Sequence, residues 1–278
     1  MTKTVAQAML AKVYAEKEVQ DYDKVIAYAD KVMNTTGVEL EDSYETLWGY
    51  DETAIDCMKR NTKEGILEVH WSGGGNWETW MYGRQLDNWD YYFTWAKWIT
   101  PSRDIINDFD KEGDEVRKNQ AIVYYACTWS NYYPASNYPF MYKLRSSYNN
   151  IYWVRLADII LMKAEAEAYK GNLAESAKLV NQIRKRAKLK ELTSDKTGSK
   201  ESMIEAVLHE RRLELAFEGE RWFDLCRNNK VEKYLNGIDN RDSGRIRQVR
   251  QFDSNSYLLP IPQTALDQNT NLEQNPGY

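Results

Sequence analysis

The residues best suited to recognition chemistry are gathered in one segment. From Asn76 to Trp98 the chain reads NWETWMYGRQLDNWDYYFTWAKW, and six of its 10 tryptophans lie between Trp71 and Trp98. Flat aromatic faces stack on the C–H faces of sugar rings, while short polar side chains beside them hydrogen-bond the hydroxyls around the ring edge. Trp77, Trp80, Trp89, Tyr91, Tyr92 and Trp95 supply the rings, and Arg84, Asp87 and Asn88 supply polar partners. These residues are the expected ligand-binding set. The segment follows the run Gly73, Gly74, Gly75 and has no steady hydrophobic period, so rings interleaved this densely with polar groups are hard to bury together. A few exposed rings are expected, with the rest packed inside. Trp129, Tyr132, Tyr133, Tyr138 and Tyr142 either extend the same surface or belong to a strand pair formed by IVYYACTW and PFMYKLR.

Bond-breaking chemistry has less to work with. His209 and Glu210 lack the second histidine of a zinc-protease motif, and no nucleophile accompanies them. The run HERRLELAFEGERWFDL instead reads as Arg and carboxylate pairs that lock a helix to its neighbours, since charges interspersed with Leu213, Leu215, Phe217, Trp222 and Phe223 cannot all face solvent. A glycan-cleaving enzyme would need two carboxylates about 5–10 Å apart across an aromatic cleft. Glu78, Asp87 and Asp90 leave that arrangement open. Cys57, Cys127 and Cys226 show no CxxC or CxxH spacing, so neither a zinc site nor a disulfide framework is implied. No ordered calcium-loop pattern is present. The loops are nonetheless rich in carboxylates and amides, so metal binding stays open with no ligand residue assigned, and no cofactor is expected.

The net charge of -5 argues against a partner held by phosphate neutralisation, so no nucleic-acid ligand is expected. No apolar run approaches membrane-spanning length. The opening MTKTVAQAML has neither the basic segment nor the apolar core of a secretion signal.

Helices must position the aromatic segment. Leu156, Ile159, Ile160 and Ala164 share one helical face, as do Leu173, Ala177, Val180, Ile183 and Ala187, and Gly171 and Asn172 join the two helices as an antiparallel hairpin. A third helix is expected from Glu201 to Leu225. At the front, Ala6, Met9, Leu10, Val13 and Tyr14, then Tyr22, Ile26, Ala29 and Met33, give a second hairpin of the same kind. Ile66–Trp71 reads as a short strand. The run TPSRDIINDFD reads as a helix entered at Pro101 and Ser102, burying Ile105, Ile106 and Phe109. In the tail, Thr264–Gln268 reads as a helical turn, with Tyr257, Leu258, Leu259 and Ile261 as its anchors.

Three separated motifs, RLADIILMKAEAEAYKGNLAESAKLVNQIRKRA, ERRLELAFEGERWFDL and YLLPIPQTALDQNTNLEQNPGY, together resemble the C-terminal part of the SusD/RagB family of outer-membrane nutrient-binding lipoproteins. The opening AQAMLAKVYAEKEVQDYDKVIAYADKVM and the later EGILEVHW resemble the family's tetratricopeptide region and the segment after it. The resemblance implies a mainly α, SusD-like fold: tetratricopeptide-like helical hairpins carrying long aromatic-rich loop excursions and short strands. One domain over 1–278 is expected, with a hairpin at 1–35, a variable loop-rich ligand region at 36–150, and a helical hairpin, Arg/Glu-rich helix and tail at 151–278. It also implies a non-enzymatic binder of oligo- or polysaccharides that delivers them to a TonB-dependent, SusC-like transporter. The implied location is the cell outer membrane, as a surface-exposed lipoprotein in the full-length form. The family's secretion signal, lipid-bearing cysteine and front half have no counterpart in this chain, which therefore reads as a fragment. The alternative is a protein- or peptide-binding helical scaffold.

Overall fold

Small residues at helical spacing set the scaffold. The computed structural model describes residues 2–51, 53–54, 56–70, 100–127, 130–145, 150–244 and 250–278. The described chain falls into two compact units, Met1–Arg221 and Trp222–Tyr278. In the first, the principal helices are α1 (Lys3–Ala15), α2 (Tyr22–Met33), α3 (Arg103–Glu112), α4 (Glu115–Ala121), α5 (Leu156–Lys170), α6 (Leu173–Arg186) and α7 (Lys200–Glu214). The described strands form antiparallel pairs, a short one of Tyr50–Asp51 with Asp56–Cys57 and two longer ones: β1 (Gly65–His70) with β4 (Asn150–Arg155), and β2 (Ile122–Tyr125) with β3 (Tyr138–Met141). The expected strand pair between IVYYACTW and PFMYKLR is therefore present.

The hairpin of α5 and α6 forms as its spacing predicts. Gly171 adopts φ 84 at the C-cap of α5, a left-handed conformation that glycine reaches without steric cost, and Asn172 then opens α6. Ile159, Ile160, Ala164, Val180 and Ile183 enter one core with Ala8, Ala29 and Val32 of the first hairpin and Met203 and Val207 of α7. Between α5 and α6, the buried Ser176 hydroxyl donates to the Ala164 carbonyl at 2.6 Å. Tyr22 stacks on Tyr169 with ring centroids 4.7 Å apart, tying α2 to α5.

Two features differ from the sequence expectation. In α1 the packed face is Val5, Ala8, Ala11 and Ala15, while Met9, Leu10 and Val13 stay exposed. Alanine on a crowded seam lets backbones approach, so the smaller residues win the inner face. The single helix expected from Glu201 to Leu225 is broken: α7 ends at Glu214, and a second helix runs Arg221–Arg227. Between them Phe217 sits at φ 66 and Gly219 at φ 90, which no continuous helix accommodates.

The break serves a buried ion network. Glu214, at the end of α7, sets one carboxylate oxygen 2.6 Å from Arg155 and the other 3.2 Å from Arg117, and it also pairs with Arg186. Its backbone carbonyl accepts from Tyr44 Oη at 2.8 Å, Arg155 Nη2 at 2.8 Å and Lys143 Nζ at 3.1 Å, so three donors satisfy the helix terminus. Glu218, beyond the break, takes both Arg155 Nε and Nη2, at 2.7 and 2.8 Å. Glu64, just before β1, holds Arg155 at 2.8 Å and also Arg186, and accepts from the Glu41 amide at 3.0 Å. Pairs of this kind fix geometry more than they add net stability, because each ion loses its hydration. They clamp β1, β4, α6 and α7 into one frame.

Lys143 is the weak member of this network. Burial pushes its ammonium group down to about 8 even though Glu218 lies 2.6 Å away. Glu218 keeps its two-pronged Arg155 contact without it. Lys143→Met should therefore cost less than about 1 kcal/mol in urea unfolding. A loss of several kcal/mol would show that Lys143 anchors the network.

The second unit is built from short pieces: helices Val231–Leu235, Ile238–Arg241 and Gln263–Gln268, and a turn at Ser254–Tyr257. Trp222 and Phe252 rings lie 5.8 Å apart within it. The tail turn forms as expected, but Leu258 and Leu259 are exposed rather than anchoring. Side-chain amides hold the tail instead: Gln274 accepts from the Ile261 amide at 2.8 Å and donates to the Ile261 carbonyl at 2.9 Å, and Tyr278 Oη donates to the Leu258 carbonyl at 3.0 Å. The prolines at 260 and 262 leave few backbone donors there, so polar side chains substitute.

Candidate ligand-binding site

All of the expected ligand-binding residues, Trp77, Trp80, Arg84, Asp87, Asn88, Trp89, Tyr91, Tyr92 and Trp95, lie outside the described residues, as do Trp71 and Trp129. What the structure describes is the frame from which that segment leaves and to which it returns. It leaves from β1, where His70 pairs with Asn150 of β4 and its ring nitrogen lies 2.9 Å from Glu68. Glu68 in turn accepts from the Thr62 hydroxyl at 2.7 Å and the Thr62 and Asn61 amides at 3.0 and 3.1 Å. The segment returns at Thr100 and Pro101, ahead of α3. Ser102 caps that helix, its hydroxyl accepting from the Ile105 amide at 3.3 Å, and Phe109 is fully buried on the face that the spacing predicts.

Beside this return point lies an open cleft of about 880 Å³, lined by Arg103, Cys127, Ser130, Tyr132, Tyr133 and Pro134 among others. The loop joining β2 to β3 forms its wall, closed by the Cys127 amide donating to the Ala135 carbonyl at 2.7 Å. The Arg103 guanidinium sits over the Tyr133 ring at 4.1 Å and the Tyr132 ring at 4.6 Å from their centroids. Its Nη2 donates to the Tyr132 carbonyl. Tyr133 Oη donates to the Pro101 carbonyl at 2.8 Å, and Tyr138 Oη donates to the Ser130 hydroxyl at 3.1 Å. Edge-to-face contacts run from Tyr132 to Tyr133 (4.8 Å) and from Tyr133 to Tyr138 (5.5 Å).

Of the second aromatic group, the structure brings Tyr132 and Tyr133 to the cleft wall and buries Tyr138 in the strand pair; Tyr142 lies under the Arg145 guanidinium, 3.7 Å from its centroid. The strand-pair expectation thus holds for Tyr138, while the surface that Tyr132 and Tyr133 are expected to extend lies outside the described residues. Sequence reasoning missed Arg103 and Ser130. An arginine in the first turn of a helix carries no pattern that distinguishes a cleft wall from a solvated surface. It also missed Trp153, on β4, which is 64% exposed, because alternation along the strand turns Tyr152 and Val154 inward and Trp153 out.

Rings, hydroxyls and a guanidinium set side by side suit stacking and hydrogen bonding. Among the described residues no group of three or more His, Cys, Asp or Glu could hold a metal ion. His209 belongs to the ion network: its ring nitrogen lies 3.1 Å from Glu112, which also pairs with Arg184 at 3.0 Å. The His209 hydrogen bond and then the Arg184 charge hold the Glu112 carboxyl down at about 2. A carboxyl lowered from its unfolded value of about 4.3 contributes stability that is present above that value and is lost as pH falls towards 2. The melting-temperature gap between the unsubstituted chain and Glu112→Gln should thus narrow between about pH 5 and pH 2. A gap that stays constant across this range would contradict the pairing.

A family model described as SusD family matches residues 63–278. SusD-like protein P2 of Formosa agariphila is 26% identical over 317 aligned residues that take in 100% of this chain and 60% of that protein. The chain thus spans about 60% of the length of that relative. Among solved structures, a SusD homolog from Bacteroides thetaiotaomicron superposes with a TM-score of 0.76 at 20% identity, over 100% of this chain and 64% of that one. Surface glycan-binding protein A from Bacteroides thetaiotaomicron, solved in complex with laminarihexaose, superposes at 0.73 with 17% identity, over 99% of this chain and 64% of that one.

Proposed function

This chain belongs to the SusD family, and from that membership we propose that it binds oligo- or polysaccharides at the cell surface without cleaving them. The observation that carries the reading is the cleft beside α3, where Tyr132, Tyr133, Arg103 and Ser130 offer ring faces and hydrogen-bonding groups side by side. The laminarihexaose complex of a protein with the same fold supports a sugar as the ligand class. Residues 1–278 act as one ligand-capturing domain in this reading, and the region 36–150 supplies the contacts. Trp77, Trp80, Trp89, Tyr91, Tyr92 and Trp95 are the pool of stacking residues, with Arg84, Asp87 and Asn88 as polar partners.

In this reading the captured glycan passes to a TonB-dependent, SusC-like transporter in the outer membrane, and a lipid anchor holds the binder at the surface. Among the described residues no helix is long and apolar enough to cross a membrane. Native electrophoresis of the chain through gels that contain polysaccharide tests the binding. Retardation by at least one polysaccharide is expected. Unretarded migration through a broad polysaccharide set, by a chain with an intact helical signal, would overturn the reading.

A further inference from the structure

Resting on the glycan reading above, we propose that Trp153, on β4, is a stacking platform for a neutral pyranose ring. The register of β1 and β4 singles this residue out. Tyr152 faces Glu68 and Val154 faces Leu67, so Trp153 is the extra residue of a bulge in β4. Ile66, between Leu67 and Gly65, is the extra residue of a second bulge in β1, and by Gly65 and Arg155 the two offsets have cancelled. A bulge of this kind aims one side chain at the expense of local ladder pairing.

The side chain so aimed stands in water. Trp153 is 64% exposed, against 6% for Tyr152 and 2% for Val154. Its indole has no ring, cation or hydrogen-bond partner among the described residues. It thus forgoes the burial that usually stabilises so large a ring. The strand beneath it is fixed: Tyr152 and Val154 enter two cores, Arg155 enters the ion network, and Asn150 Nδ2 donates to the Lys59 carbonyl at 2.7 Å. A platform on an ordered strand spares a ligand the cost of ordering it.

The occupant follows from the size and charge of this face. Ile151 and its partner Val69 share the outer face with Trp153 and are half-buried, so the exposed apolar area is about one ring wide. That falls far short of the roughly 800 Å² per partner that a stable protein interface buries. It suits the C–H face of one pyranose, with the indole N–H at the ring edge for a hydroxyl. Neither strand offers an exposed lysine or arginine, so nothing in the pair selects an acidic sugar. The aromatic segment proposed above to bind glycan follows directly on β1, the partner of β4.

Titration of the nitrogen-15-labelled chain with laminari-, malto-, cello- and xylohexaose in turn tests this. The 10 tryptophans give indole N–H signals of which the one missing from Trp153→Phe belongs to Trp153. That signal should shift and saturate with at least one of the four sugars. Trp153→Ala should bind that sugar about tenfold more weakly, and Trp153→Phe, which keeps a flat ring, less than about threefold more weakly. Both variants should melt within about 2 °C of the unsubstituted chain, because an exposed ring leaves no cavity behind.

A Trp153 signal that stays in place while others move, or Trp153→Ala affinity within about twofold, would overturn the platform and leave glycan binding standing. A loss in Trp153→Phe as large as in Trp153→Ala would overturn ring stacking as its source. Should Trp153→Ala fail to fold, the Trp153 signal of the unsubstituted chain decides. Silence from all four neutral sugars, in a chain that gels containing acidic polysaccharide retard, would overturn the neutral platform alone. Silence there and in every polysaccharide gel would bring down the glycan reading itself.

Discussion

Arg155→Met should destabilise the chain by roughly 3–5 kcal/mol, the range for removing one partner of a buried ion pair. Arg155 is 1% exposed and touches three carboxylates at once: Glu64 at 2.8 Å, Glu214 at 2.6 Å and Glu218 at 2.7 Å. Methionine fills most of the same volume, so the cost comes from charge left behind and not from a cavity. Glu64 and Glu214 keep Arg186, and Glu218 keeps Lys143. Three buried carboxylates then share fewer cations.

The loss also has a pH signature. Burial alone would raise the Glu214 carboxyl, but the charges of Arg186, Arg155 and Arg117 outweigh it and hold the group well below the usual carboxylate range. Its contribution to stability is therefore present above an unfolded value of about 4.3 and is lost as pH falls below it. Taking Arg155 away lets the Glu214 carboxyl rise and accept its proton at higher pH, so the deficit of Arg155→Met should shrink on acidification from pH 7 towards pH 4. Urea unfolding at several pH values measures both effects. A deficit below about 1 kcal/mol at pH 7, comparable with Lys143→Met, would mean that the network is redundant around Arg155.

The second large effect concerns the ligand. Trp77→Ala, Trp80→Ala and Trp89→Ala combined should weaken glycan binding by at least about a hundredfold, because each stacked ring contributes about 1–2 kcal/mol and tenfold in affinity corresponds to about 1.4 kcal/mol. The far-ultraviolet helical signal should not change, because the described scaffold owes its core to α1, α2, α5, α6 and α7. Affinity electrophoresis and circular dichroism on one preparation separate the two. Unchanged affinity with an intact helical signal would remove these rings from the site and leave the Tyr132 and Tyr133 wall as its principal surface.

The parts of the fold that rest on one dominant period were legible in the chain. Leu156, Ile159, Ile160 and Ala164 are buried as their spacing predicts, and Gly171 ends α5 where only a left-handed residue fits. The Arg and Glu density of α7 likewise announced a buried network, although no spacing rule named its partners Glu64, Lys143 and Arg155, which arrive from distant segments.

Other features depended on choices that periodicity does not make. In α1 two faces could pack, and the alanine face won over Met9, Leu10 and Val13. The helix break at Phe217 and Gly219 follows from the demand of Glu218 for Arg155, a tertiary contact that overrides local helical preference. The cleft at Arg103 was invisible because its members, Arg103, Ser130 and Tyr133, come from a helix start and a hairpin loop that only the fold brings together.

The most direct measurement is a titration of the folded chain with glycans that retard it in native gels, following intrinsic tryptophan fluorescence while reducing ends are assayed in the same samples. Capture without cleavage predicts a saturable fluorescence change and a reducing-end level that stays at background for as long as the mixture is held. Release of reducing ends in proportion to protein and time, or a fluorescence signal that no glycan moves, would contradict it.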